Sequence, residues 1–312
     1  MPRDDLSFGA RYLRAAAEKR GWQVTLHPDG AFAGEFRLPD GAPRFFVRST
    51  YDINRAGAAL VARDKALTKW VLSRAGHPVL PGRTLVSDPS PARQYARELG
   101  YPIMVKANAE AGGVGIERVE SDEQLDAAVA RALAFGNVVL LEPYVANLRD
   151  FRLLVLDEEL LLAYERVPFA IEGDGRSTIR ELVEAAIVRA EARRTGRPDP
   201  SRLDPARAGR AWSDVLREGE SLRFLDVANL SQGGSAFEIE PAPELVNLAV
   251  RAARDLNLRF CGVDFLTDGE ATHWILELNA SPTIHQFATL CHLSEERLGA
   301  IFERILLAMV QS

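Results

Sequence analysis

The segment FCGVDFLTDGEATHWILELN, residues 260–279, constrains this chain more than any other. Two apolar runs flank Asp268-Gly269, a dipeptide suited to tight turns, so the segment reads as a β-hairpin. Successive side chains on a strand point to opposite faces, which puts Glu277 and Asn279 on one face. The turn at 268–270 brings Asp264 back beside them. Two carboxylates and a carboxamide oxygen then converge. Such hard oxygen donors suit Mg²⁺, which commonly shares its coordination with substrate phosphates. The competing reading is a hairpin with a solvated polar face. The flanks oppose it, because Trp274-Ile275-Leu276 precedes Glu277 and Gly262-Val263 precedes Asp264, so both carboxylates emerge from buried-type strands.

The remainder of the chain bounds the setting. Its 312 residues suffice for two or three packed units. A formal net charge of -6 gives no general attraction to nucleic acids or membranes. No apolar run approaches the roughly 18 to 20 residues that span a bilayer. The opening MPRDDLSFGARYLRAAAEKRGW lacks the apolar core of a signal peptide. Two cysteines, Cys261 and Cys291, make neither a disulfide framework nor a zinc site by themselves. The expectation is a reduced, cytoplasmic protein with no nucleic-acid or membrane partner.

Three units are expected. Residues 1–62 read as a short α/β unit, with a helix over Leu6–Lys19, the strand-like WQVTL, turns at Asp29-Gly30 and Asp40-Gly41, and a strand in FFVRS. Residues 63–146 open with the helix DKALTKWVLSRAG, whose Leu67, Trp70 and Val71 lie on one face, ended by Gly76 and Pro78. A strand near Thr84–Val86, a helix over Pro91–Leu99 and the strand YPIMVKA follow. The Gly-rich EAGGVG precedes a helix that starts at Ser121, where Gln124 completes a capping box. VVLLEPYV closes the unit. Residues 147–312 carry a hairpin of FRLLVLD and LLLAYERVPF around Asp157-Glu158, then a helix capped by Thr178 and Glu181 that runs through Ala192. A long Arg-, Pro- and Gly-rich loop at 193–210, an amphipathic helix near Pro243–Leu256, the opening hairpin and a last helix from Ser294 complete it.

Several residues here can carry chemistry. Lys106 leaves a buried strand and can meet a phosphate as a point charge. Gly112, Gly113 and Gly115 let backbone N–H groups approach phosphate oxygens. The Gly-Lys-Ser/Thr ending of a P-loop is absent, and an ordinary loop is the plainer alternative. The strand ending at Glu142-Pro143 leaves backbone groups unpaired beside Leu141 and Val145, a way to hold an adenine edge. Asp150 can accept from ribose hydroxyls, and Arg152 can face phosphate or carboxylate. The alternative is a surface Asp–Arg pair. Asn229, beside two glycines, can serve phosphate or merely sit in a flexible loop. Arg166 follows an apolar alternation and can aim into a cleft to stabilise an anionic intermediate, or lie on the surface.

Lys65 in DKALTK, Lys106, EAGGVG, Glu142, the Asp-x-Arg at 150–152 and VDF…ELNASP occur in an order that resembles the ATP-grasp superfamily. The likeness is nearest to the ATP-grasp part of cyanophycin synthetase and of bifunctional glutathione synthetases. It is carried by DKALTKWVLSRAGHPVLPG, GDGRSTIRELV (173–183) and NLSQGGSA (229–236), and spans residues 60–290. The resemblance implies an α/β (α+β) fold of two lobes clamping ATP. It implies that a carboxylate becomes an acyl phosphate, which an amine attacks to give an amide, ADP and phosphate. Lys65, Lys106 and the glycines would hold the phosphates. Glu142, Tyr144, Val145 and Asp150 would hold the nucleoside. Asp264, Glu277 and Asn279 would hold two Mg²⁺ ions, with Mn²⁺ able to substitute. Arg152, Arg166 and Asn229 would be catalytic, and Arg193, Arg194 and Ser281 would meet amino-acid or peptide substrates. A homodimer is an allowed assembly.

D-Alanine–D-alanine ligases keep an arginine two residues before the hairpin Asp, where this chain has Gly262, so Arg166 is the candidate replacement. Two alternatives keep the same scaffold, a ligase modifying a ribosomally made precursor peptide and a phosphotransferase acting on a hydroxyl. A non-catalytic nucleotide-binding regulator is a third, opposed by the presence of all three metal candidates and both lysines.

Overall fold

The computed structural model describes residues 8–28, 33–109, 115–192, 195–268 and 272–311. The expected mixture of helices and sheets forms, and among the described residues every strand pairing within the sheets is antiparallel. No helix among them is long and apolar enough to cross a membrane.

The chain begins with α1 (Phe8–Glu18), followed by β1 (Gln23–Leu26), β2 (Ala33–Arg37), β3 (Pro43–Val47) and β4 (Thr50–Tyr51), paired in that order. Ala10, Leu13 and Ala17 form the buried stripe of α1, at a spacing that keeps one helix face inward. The Asp40-Gly41 turn forms, with Gly41 at φ +82°, a left-handed value that favours glycine. The Asp29-Gly30 turn lies outside the described residues.

Two helices follow, α2 (Ala56–Arg63) and α3 (Lys65–Arg74). Asp64 caps α3, its carboxylate accepting the Leu67 N–H at 2.8 Å. Next come β5 (Arg83–Val86), α4 (Ala92–Leu99), β6 (Ile103–Ala107), β7 (Ile116–Val119), α5 (Asp122–Leu133) and β8 (Val138–Pro143). Their sheet runs β5-β8-β6-β7. Ala92 and Ala96 of α4 and Leu125, Ala128 and Val129 of α5 pack on Val105, Val139 and Leu141. Met104, Lys106, Leu140 and Glu142 alternate onto the other face. Ser121 caps α5, accepting from the Gln124 N–H, while the Gln124 carboxamide oxygen takes the Glu120 N–H at 2.8 Å. The expected box is therefore displaced by one residue.

The last part of the chain contains β9 (Arg149–Leu156), β10 (Glu159–Val167), β11 (Ala170–Glu172), α6 (Ile179–Ala192), β12 (Ser221–Arg223), β13 (Ser235–Glu238), α7 (Pro243–Asp255), β14 (Phe260–Thr267), β15 (His273–Asn279), α8 (His285–Leu290) and α9 (Glu295–Val310). A five-stranded sheet runs β13-β10-β9-β14-β15, and β11 and β12 form a separate ribbon. The β9–β10 turn has Asp157 and Glu158 at φ +49° and +65°, the two-residue geometry that matches strand twist. Thr178 and Glu181 exchange the expected capping bonds at the start of α6. In the long loop, Arg197, Arg207 and Arg210 pair with Glu191, Asp226 and Glu220.

Apolar residues cover both faces of the five-stranded sheet, which is why β9 and β14 read as nearly continuous apolar runs. Phe151, Leu153, Val155, Val263, Phe265 and Ile275 pack under Leu245, Leu248, Ala249 and Ala252 of α7. Ala62 of α2 and Leu72 of α3 join this same cluster. On the opposite face Leu154, Leu156, Leu162, Tyr164 and Phe260 meet α8, α9 and the N-terminal sheet, so the first strands and the last helices share one core. In α3 the inward side carries Thr68 and Leu72. Leu67 and Trp70, which share a face by spacing, are 38% and 55% exposed. The guanidinium carbon of Arg74 lies 4.8 Å from the centre of the Trp70 ring.

Candidate active site

The core on the α8–α9 face of the five-stranded sheet gives way at one end to charge. The register places Tyr164, Arg152, Asp264 and Glu277 side by side across β10, β9, β14 and β15. Arg166 pairs in register with Asp150, two residues further along. Gly262 lies opposite Asn279. The hairpin thus does what its alternation requires, setting Asp264 directly across from Glu277.

Asp264 is 1% exposed. Arg152 donates to it twice, Nε to Oδ1 and a terminal nitrogen to Oδ2, both at 2.5 Å. Arg166 donates to Oδ2 at 2.8 Å and to Asp150 Oδ1 at 2.7 Å. Two guanidiniums and two carboxylates therefore form a closed, nearly dry network. Burial works to push Asp264 up, but Arg152 and Arg166 hold its carboxyl below the usual range. Asp150 moves the other way, raised by burial and by the neighbouring Asp264 charge despite Arg166. Arg166 is buried, so the surface reading of this arginine does not apply.

Gly262 explains how Arg152 reaches its place. A Cβ there would stand 3.4 Å from Arg152 Cδ and 3.3 Å from Pro282 Cβ. The absent side chain leaves the channel along which Arg152 crosses to Asp264. The space beside Gly262 is thus taken by an arginine from the adjacent strand, Arg152, while Arg166 reaches the same carboxylate from β10.

A second charged group lies on the other sheet. The Glu142 carboxylate, 1% exposed, accepts from both Lys106 and Lys69. Lys69 also donates to the Leu80 carbonyl at 2.7 Å. Burial, and then the charge of Lys106, lower Lys69 to about 7. Burial lowers Lys106 to about 8. Lys65, at the start of α3, lies 3.5 Å from Glu277 and donates to the Asn108 carbonyl at 3.4 Å. The buried Asn108 side chain accepts the Ala66 N–H at 2.8 Å. One helix therefore carries Lys65 toward the hairpin and Lys69 toward Glu142. Sequence reasoning passed over Lys69 and Asn108. The i, i+4 spacing of Lys65 and Lys69 was the available signal, since such residues share a helix face.

The other candidates are dispersed around this centre. Gly115 sits at φ +67°, and a Cβ there would meet Ala107 Cβ at 2.7 Å, so only glycine fits. Gly112, Gly113, Arg193 and Arg194 lie outside the described residues. Tyr144 does not offer a free N–H at the end of β8, because it donates to the Pro102 carbonyl at 3.0 Å. Its ring lies under the Arg118 guanidinium at 4.4 Å, and Val145 beside it is half-buried. The Asn229 side-chain oxygen accepts from the Ser231 N–H and hydroxyl at 3.0 and 2.9 Å, capping a short 3-10 turn. Of the glycines after it, Gly234 approaches the Val167 carbonyl at the end of β10, and Gly233 lies against Pro198 and Phe169. Asn279 accepts the Ser281 N–H at 2.9 Å, and Ser281 binds Ser49 and Thr50 at 2.8 Å each, tying the N-terminal sheet to the hairpin.

The donor chemistry of Asp264, Glu277 and Asn279 is all oxygen and fits Mg²⁺. Within this structure the counter-charges of the two carboxylates are Arg152, Arg166 and Lys65. Among the described residues no group of three His, Cys, Asp or Glu residues is arranged to hold a metal, so the third oxygen would be the Asn279 carboxamide. Cys261 lies on the α7 face, and burial pushes its thiol up, which removes it as a nucleophile.

Residues 64–160 match the family model described as the carbamoyl-phosphate synthase L chain, ATP binding domain, and residues 216–295 match the RimK-like ATP-grasp domain. The chain is 32% identical over 280 residues to cyanophycin synthetase of Trichormus variabilis, covering 77% of this chain and 30% of that one. It is 24% identical over 304 residues to the glutathione biosynthesis bifunctional protein of Clostridium perfringens, covering 90% and 39%. Its fold aligns with a bifunctional glutathione synthetase from Pasteurella multocida at a TM-score of 0.60 and 18% identity, over 96% of this chain and 44% of that one. The chain spans about a third of the length of the curated relatives it matches.

Proposed function

Because the chain belongs to the ATP-grasp superfamily, we propose that it is an ATP-dependent carboxylate–amine ligase that joins amino acids or short peptides through an acyl phosphate. A carboxylate oxygen of one substrate attacks the γ-phosphorus of ATP. The bond to the β,γ-bridging oxygen breaks, and ADP leaves with the electron pair. The amine of the second substrate then attacks the acyl carbon, phosphate departs, and the nitrogen gives up its proton to solvent.

Every step is one of charge placement, so the protein need supply no covalent nucleophile. Lys65, Lys106 and the segment ending at Gly115 are assigned to the phosphates. Glu142, Tyr144, Val145 and Asp150 are assigned to the nucleoside end. Arg152, Arg166 and Asn229 are assigned to the negative charge that grows on the acyl centre. When bound at Asp264, Glu277 and Asn279, two Mg²⁺ ions supply positive charge to the phosphates, and Mn²⁺ is expected to substitute. A cytoplasmic setting, where thiols stay reduced, suits this reading.

The observation that carries it is the convergence on α3, where Lys65 reaches Glu277 of the hairpin and Lys69 reaches Glu142 of the other sheet. The test is turnover of Mg-ATP over a pool of amino acids and dipeptides, with and without hydroxylamine. ADP release with a hydroxamate product is expected. A phosphate ester in its place would make the protein a phosphotransferase, and absence of turnover across the pool would favour a regulator.

A further inference from the structure

Taking the region of Lys65, Lys106 and Glu277 as an ATP site, we propose that Lys69 is the resident counter-ion of Glu142, whose presence frees Lys106 for the nucleotide phosphates. Two ammonium groups share one carboxylate. Glu142 is 1% exposed, and the Lys69 and Lys106 side chains are 11% and 13% exposed. A carboxylate buried this deeply needs a cation, since an unpaired buried charge is strongly disfavoured. Either lysine can fill that need, so the other is available.

The surroundings decide which one. Lys69 is held a second time, by the Leu80 carbonyl, in the segment after α3. That segment is fixed in turn, because the Pro78 carbonyl accepts the Ile275 N–H of β15 at 2.8 Å. Lys106 instead lies in the field of Glu277 and Lys65, groups assigned to the metal and the phosphates. An arriving phosphate can take Lys106 from Glu142 and leave that carboxylate still paired with Lys69. Without Lys69 the same move would strand a buried negative charge, and Lys106 would stay where it is. Lys69 is thus a positioning residue. It acts on the nucleotide through Glu142 and Lys106.

The test is calorimetric titration of Mg-AMPPNP into the full chain and its variants, with thermal melting to follow the fold. Lys69→Met is expected to weaken binding about tenfold or more, equivalent to about 1.4 kcal/mol. Glu142→Gln alone serves as a second reference, since it absorbs any loss of a nucleoside contact, and adding Lys69→Met to it is expected to cost little further, because no buried carboxylate is left to pair. Lys69→Arg, which keeps a cation beside Glu142, is expected to bind nearly as the wild type does. If Lys69→Met does not fold, the Arg variant and the double variant carry the test. Unchanged affinity in Lys69→Met overturns the proposal. So does a Lys69→Met penalty as large in the Glu142→Gln background as in the wild type, which would make Lys69 a direct ligand, or an Arg variant weakened about as much as Lys69→Met. A wild-type chain that binds no AMPPNP overturns the nucleotide reading itself, and the role of Lys69 with it.

Discussion

Arg152 grips Asp264 through two parallel N–H···O contacts of 2.5 Å, reaching from one strand to its neighbour. Both groups are nearly dry, at 12% and 1% side-chain exposure. Removing the carboxylate would leave Arg152 without this partner and Arg166 with only Asp150. Breaking a buried pair from one side costs about 3–5 kcal/mol. Asp264→Ala should lose about that much stability in chemical denaturation, together with nucleotide turnover. A variant that keeps wild-type stability would show that the network contributes little to holding the sheet.

Gly262 keeps the path of Arg152 open. Gly262→Leu should drive Arg152 off Asp264 and cost about 1–3 kcal/mol, as overpacking does. Turnover should fall with it. A crystal structure of the variant showing Arg152 still on Asp264 would contradict this account of the glycine.

Glu277 differs from Asp264 in being partly open, at 34% side-chain exposure, and in pairing with Lys65 at 3.5 Å. Glu277→Gln should therefore leave the melting temperature nearly unchanged and lower ADP release by about 100-fold or more, the scale of losing a charge-stabilising group. Full turnover in this variant would sink its assignment as a metal ligand.

Burial lowers Lys106 to about 8 in the nucleotide-free protein. Phosphate favours the charged amine, so binding should take up protons above that pH, and affinity should fall as pH rises through about 8. Calorimetry in buffers of different ionisation enthalpy reads the uptake directly. The stability effect runs the opposite way. Between about 8 and the ordinary value of 10.5 the unfolded chain binds more protons at this lysine, so its contribution makes the free protein gain stability as pH rises.

The strands around the site were readable because their signals are local. Period-two alternation sets Glu277 and Asn279 on one face, and the turn at Asp157-Glu158 forms from its own two residues. The caps at Ser121 and Thr178 stood out for the same reason, each being a bond to a backbone group three residues away. The helix α3 shows where such reasoning stops. Its spacing puts Leu67, Trp70 and Val71 together, but only Val71 packs against the core and the other two are exposed, because α3 rests on α7 and β15 through the side that carries Thr68 and Leu72.

From the sequence alone came the mixed fold, the two sets of strands that frame the site, and the residues able to carry charge there. Only the tertiary structure decided which charges meet. That Arg152 crosses Gly262 to Asp264, and that Lys69 turns inward to share Glu142 with Lys106, depends on sheet faces separated by many residues along the chain. Burial then sets what these pairings are worth, since a charge removed from water must find its partner in whatever the packing brings beside it.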